Sequence, residues 1–296
     1  MESRNRRTRL AALSLLLLIY AQGARVVRAE DAAHVRLLRG RLAVVPVYVN
    51  GEGPFDFLLD TGTTSTLITT ELAARLGLRA ADRVTLVTVA GERAVARAQL
   101  GRLEVGGRVA ADVEALLCGL EQVRALDARL SGVLGQNFLE RFNYTLDYGA
   151  RLLRFEDEGG APPRGERVPV ERAEGRLLVA ATPAGGAAHS LRLVLDAAAT
   201  CPILFDELPG GLAPDPSARD VRLALTEAGG VGSRVARLRA LRVGSLWLAD
   251  LPVALLPDPA GRAARAEDGL LPTSLFRSVY FNNAEGFVIF DPRPTR

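Results

Sequence analysis

The sequence predicts an all-β protein: two pseudo-twofold-related β-barrel lobes carrying short helices. Three observations lead there. Aliphatic and β-branched runs recur between Gly, Pro and Asn turn signals, the pattern of short strands. The second half of the chain repeats, in order, the landmarks of the first. A stretch rich in Pro, Gly and charge, EDEGGAPPRGERVP at residues 156–169, separates the halves as a linker.

In chain order, residues 1–29 come first and have the plan of a secretory leader. Arg4, Arg6, Arg7 and Arg9 form a basic head, Leu10 to Ala21 an apolar segment, and Val27-Arg28-Ala29 a small-residue cleavage signal. An uncleaved anchor is the alternative, but 12 apolar residues are short against the roughly 20 that a bilayer needs. The first lobe is assigned to residues 30–157 and the second to 165–296. Leu42 to Val49 reads as a strand that ends at an Asn50-Gly51 turn. Residues 83–89 and 93–100 flank Ala90-Gly91 as a hairpin. A short helix is capped by Thr69 or Thr70, shows Leu72, Ala73 and Leu76 on one face, and stops at Gly77.

The repeat is specific. Asp60 and Asp196 each come after three apolar residues, Phe57-Leu58-Leu59 and Leu193-Val194-Leu195. Thr88-Val89-Ala90-Gly91 matches Thr226-Glu227-Ala228-Gly229, and Leu103-Glu104-Val105-Gly106 matches Leu241-Arg242-Val243-Gly244. Asp112 matches Asp250, and Ser131-Gly132-Val133-Leu134-Gly135 matches Asp268-Gly269-Leu270-Leu271-Pro272. Two compact lobes about a pseudo-twofold axis would bring the two aspartates to equivalent places.

Composition narrows the function. With 48% hydrophobic and 24% charged residues the chain is ordinary globular protein. The formal charge is +3, but six Arg and one Glu lie in the first 29 residues, and the rest of the chain carries 31 basic against 33 acidic residues. Nothing there favours a nucleic-acid partner. His34 and His189 stand alone and no metal-ligand spacing occurs, so no metal and no cofactor is expected. Cys118 and Cys201 leave two readings open, one disulfide or two free thiols.

Residues 55–68, FDFLLDTGTTSTLI, carry an Asp60-Thr61-Gly62 turn between apolar runs. Some 70 residues on comes Gly132-Val133-Leu134-Gly135, then Gln136-Asn137-Phe138-Leu139 as a short helix. Together these resemble the retropepsin-like (bacterial) aspartic peptidase family, over nearly all of the chain beyond the leader and most closely over residues 35–157. The resemblance implies an exported aspartic-type endopeptidase in which Asp60, paired with Asp196, activates water. Two carboxylates that share a proton suit such chemistry, because like charges that close do not both ionise. It also implies that Thr61 bonds across to the other lobe, that Gly62 and Gly135 support the loop, and that Ala90-Gly91 tips a flap over a peptide or protein substrate.

The second lobe departs from this pattern. Asp196-Ala197-Ala198 replaces Asp-Thr-Gly, and Pro272 stands where Gly135 stands in the first lobe. Ala197 lacks the hydroxyl, and Ala198 would be strained if its backbone needed φ > 0. Two alternatives stay open: a dimer pairing two copies of Asp60, and a pseudo-peptidase that binds extended peptides without cutting. A monomer is the expectation, because the second lobe already occupies the pairing surface. The leader implies a periplasmic or secreted protein with no stable membrane insertion once it is removed.

Overall fold

The computed structural model describes residues 31–88, 91–157, 159–184, 190–205, 212–214, 221–223, 231–256 and 266–293. The leader expected at 1–29 lies outside them, as do Ala90, His189 and the Thr226–Gly229 match. Among the described residues no helix is long and apolar enough to cross a membrane.

The first lobe is an eight-stranded sheet. Its spatial order is Arg36–Leu38, Leu42–Val49, Glu52–Leu59, Leu130–Leu134, Thr66–Thr69, Arg108–Cys118, Gly91–Val105 and Asp82–Thr88. Pairing of Leu42–Val49 with Gly91–Val105 bends this sheet back on itself. Strand Leu42–Val49 is buried at six of its eight positions, which is why it reads as a continuous apolar run. It ends as expected at Asn50 (φ 52°) and Gly51 (φ 86°), the left-handed pair of a tight hairpin.

The second lobe has the same strand order: Glu171–Ala173, Arg176–Pro183, Leu191–Asp196, Gly269–Pro272, Ile203–Phe205, Leu246–Leu256, Val231–Val243 and Leu212–Pro214. Each lobe contains a parallel pair that ends at its aspartate. Leu59 lies beside Leu134 in one, Asp196 beside Pro272 in the other. Irregularities repeat as well: Asp112 and Asp250 both have φ 52°, and Gly106 and Gly244 have φ 52° and 58°. The fold is therefore all-β, with two pseudo-twofold-related lobes and short helices.

A third sheet of six strands joins the lobes, in the order Ala32–His34, Leu152–Phe155, Tyr144–Asp147, Phe276–Asn282, Phe287–Pro292, Val168–Pro169. Tyr144 pairs with Phe281 and stacks on its ring at 4.6 Å between centroids. One large apolar cluster runs through both lobes and this sheet. The last two linker residues, Val168–Pro169, form an edge strand here because Val168 is buried against that cluster.

Helix Thr70–Arg75 is capped by Thr69, whose hydroxyl accepts from the Leu72 amide at 3.2 Å, and Gly77 (φ 61°) stops it. Both cysteines are free thiols.

Candidate active site

Asp60 and Asp196 each leave the C-terminal end of an apolar strand and enter a tight turn. Backbone amides close each turn on its carboxylate. Gly62 N–H donates to Asp60 Oδ1 at 2.8 Å, and Ala198 and Ala199 N–H donate to Asp196 Oδ1 at 2.7 and 2.9 Å. The second turn thus holds its carboxylate by the same means as the first. Ala198 is not among the residues with positive φ, so the strain expected there is absent.

Gly62 shows how near the two carboxylates are. A Cβ placed on it would lie 2.9 Å from Asp196 Oδ2 and 3.2 Å from Asp60 Oδ1. Laid end to end, those distances put the two oxygens at most about 6 Å apart. Glycine is required here by space, not by a left-handed backbone, since φ at Gly62 is ordinary. The same holds at Gly135, where a Cβ would come within 2.3 Å of Ser65 O. Pro272 fits the equivalent place with φ −63°, opening the 3-10 helix Thr273–Leu275.

Thr61 is fully buried and its hydroxyl crosses to the other lobe. It donates to Leu195 O at 2.7 Å and accepts from Ala197 N–H at 3.0 Å. Ala197 offers no hydroxyl in return, so this link runs in one direction.

Both carboxyls are held above the ordinary carboxylate range. For Asp60 the first cause is burial and the second is the charge of Asp196, with the Gly62 and Thr63 amides pulling the other way. For Asp196 burial again leads, opposed by the Ala198 and Ala199 amides. The pair therefore binds a proton that an isolated carboxylate would release, and the proton belongs to the pair rather than to either member. Such a pair can take a proton from water with its ionised member and give one with the other.

Residues next to the motif steady these turns. Gln136 Nε2 donates to Thr61 O at 2.9 Å. Asn137 Oδ1 accepts from Thr66 N–H at 3.0 Å and from the Thr66 hydroxyl at 2.8 Å, and its Nδ2 donates to Glu114 O at 2.7 Å. In the second lobe Thr273 occupies the place of Gln136, and its hydroxyl meets that of Tyr148, from the first lobe, at 2.6 Å in the buried seam. None of these roles was expected from the sequence. Polar residues directly after the loop glycine were the available signal for Gln136 and Asn137. No local signal marks Tyr148.

The hairpin expected as a flap is present in its stems. Asp82–Thr88 pairs antiparallel with Gly91–Val105, from Asp82 opposite Arg97 to Thr88 opposite Gly91, while Ala90 at its tip lies outside the described residues. Among the described residues no cluster of three or more His, Cys, Asp or Glu could hold a metal.

Residues 45–138 match the family model described as aspartyl protease. Among solved structures, a retropepsin-like aspartic protease from Rickettsia conorii is 25% identical. That likeness covers 42% of this chain and 87% of that one, with a TM-score of 0.32. No curated protein matches. The family match begins in strand Leu42–Val49 and ends in helix Gln136–Leu139, so it spans both segments that form the Asp60 turn. By that match residues 45–138, most of the first lobe, are similar to aspartyl proteases.

Proposed function

We propose that this chain is an exported aspartic-type endopeptidase, acting as a monomer, in which Asp60 and Asp196 together activate the water that cleaves a peptide bond. The observation that carries this reading is the closeness of the two carboxylates, each with its inner oxygen held by backbone amides. The ionised member takes a proton from water. The water oxygen adds to the scissile carbonyl carbon while the protonated member gives its proton to the carbonyl oxygen. Collapse of that tetrahedral species breaks the C–N bond, and the leaving nitrogen takes a proton from the pair. The amides fix the outer oxygens where that water must sit, and fixed geometry of this kind is worth on the order of 10²-fold in rate. The leader-like residues 1–29 support export to the periplasm or beyond.

The test is cleavage of unfolded protein by the purified chain at acidic to neutral pH. Asp60→Asn should abolish it, and Asp196→Asn should nearly do so. Activity that survives Asp196→Asn would assign the second carboxylate to another chain. Peptide binding without cutting would favour a pseudo-peptidase, the reading that the bare Ala197 turn supports.

A further inference from the structure

Two β-turns sit at equivalent places in the lobes. Arg39-Gly40 (φ 50° and 71°) joins strands Arg36–Leu38 and Leu42–Val49, and Glu174-Gly175 (φ 49° and 76°) joins Glu171–Ala173 and Arg176–Pro183. Each reaches across to the other lobe. Arg41 Nη1 donates to Thr200 O at 2.9 Å, and a Cβ on Gly175 would stand 3.2 Å from Thr64 Cγ2. Thr64 and Thr200 both lie four residues beyond an aspartate. The two turns therefore form pseudo-equivalent walls, each against the chain just beyond the other lobe's aspartate.

Their chemistry differs. Arg39 and Arg41 are exposed, and among the described residues neither pairs with a carboxylate. The nearby Arg36, by contrast, is tied to Asp127 at 2.8 Å and also to Asp56. On the opposite wall Arg176 is neutralised by the buried Glu267, through bonds of 2.8 and 2.9 Å, and it also contacts Glu174 at 3.0 Å. Among the described residues, one wall thus carries two positive charges with no carboxylate partner, while two carboxylates surround the single guanidinium of the other. Four residues of extended chain span about 13 Å. Thr200, which Arg41 holds, is four residues from Asp196, so Arg41 lies no farther from the carboxylate pair than a substrate side chain a few positions from the bond to be cut.

We propose that Arg41, with Arg39 beside it, determines specificity by binding an acidic side chain of an extended peptide on that side of the scissile bond. This rests on the peptidase reading above. The lobes alone, being pseudo-symmetric, would accept a peptide chain in either direction. The unequal walls select one, because reversal would bring the acidic side chain against Glu174. A guanidinium suits the task, since its planar donors match a carboxylate.

The experiment uses peptides that differ only by Glu, Gln or Lys at each position near the scissile bond. Cleavage by the purified protein is measured, and binding is measured with Asp60→Asn. Glu should be preferred over Gln roughly five- to tenfold at a position on one side only, with the preference shrinking as salt rises. Arg41→Lys should keep the preference, Arg41→Gln should remove it, and Arg41→Glu should turn it toward Lys. Equal cleavage of Glu and Gln peptides by the parent protein, or a preference that survives Arg41→Gln, overturns the proposal and leaves the peptidase reading standing. If nothing is cut, yet Asp60→Asn binds Glu peptides in an Arg41-dependent way, hydrolysis fails and the acid-binding wall stands. Binding without charge preference overturns it.

Discussion

The hydroxyl of Thr61 is the most economical place to test how the lobes are joined. Thr61→Val keeps the volume and shape of the side chain, so it opens no appreciable cavity. It removes the donor to Leu195 O and the acceptor for Ala197 N–H, 2.7 and 3.0 Å away. Leu195 and Ala197 are fully buried, so no bulk water replaces the lost partner. A buried polar group left without its bond costs about 1–3 kcal/mol. Leu195 also lies in the ladder with Leu271, which moderates its share. The expected loss is thus about 2–4 kcal/mol, a large part of the roughly 5–15 kcal/mol that typically holds a folded protein. At about 2–4 °C per kcal/mol, the thermal midpoint should fall by roughly 5–15 °C. Thermal unfolding followed by circular dichroism measures this, with Thr61→Ser as the control that keeps the hydroxyl and most of the stability. Cleavage should fall with the midpoint, because the same bond sets the Asp196 turn against Asp60. A Thr61→Val protein that melts within about 2 °C of the parent would refute the reasoning.

Four further outcomes are expected. Gly62→Ala should cut the cleavage rate on the order of 10²-fold with strand content unchanged, because its Cβ would meet the Asp196 carboxylate at 2.9 Å; activity within a few-fold of the parent would show that the carboxylate yields freely. Stability in urea should decline as pH rises from near 4, the unfolded carboxylate value, through the raised values of the folded pair, since the folded state holds protons there that the unfolded chain has released. Asp196→Asn should flatten that decline, and a parent that gains stability across the same range would contradict the sign. Tyr148→Phe should cost about 1–2 kcal/mol by stranding the buried Thr273 hydroxyl, and adding Thr273→Val should recover part of it in a double-mutant cycle. Ala197→Thr should raise activity by supplying the missing reciprocal hydroxyl, and an unchanged rate would mean that the single Thr61 link suffices.

Local patterns were legible in the sequence wherever one segment carries its own signal. The Asn50-Gly51 turn, the helix between Thr69 and Gly77, and the hairpin strands around Ala90-Gly91 all declare themselves through turn chemistry, capping and alternation. The order of landmarks in the two halves was enough to set Asp60 and Asp196 at equivalent places. The reach of Thr61 across the lobes came from resemblance, and its partners lie where that resemblance implied.

Only the tertiary structure decided the rest. The sheet that joins the lobes draws strands from both ends of the chain, and each is short and apolar in a way that also suits a lobe core; pairing between distant segments leaves no mark within either one. The reason for glycine at 62 is likewise non-local: the obstacle is a carboxylate from the other lobe, not the backbone angle of the glycine itself. Ala198, suspect in the sequence for its Cβ, is unstrained because its turn needs no positive φ. Arg41 and Arg176 are equivalent by position. What separates them is Glu267, brought to Arg176 by folding from 91 residues away, while no described carboxylate comes to Arg41. Charge along the sequence could not foretell that difference, because neutralisation depends on which side chains the fold brings within a few ångströms.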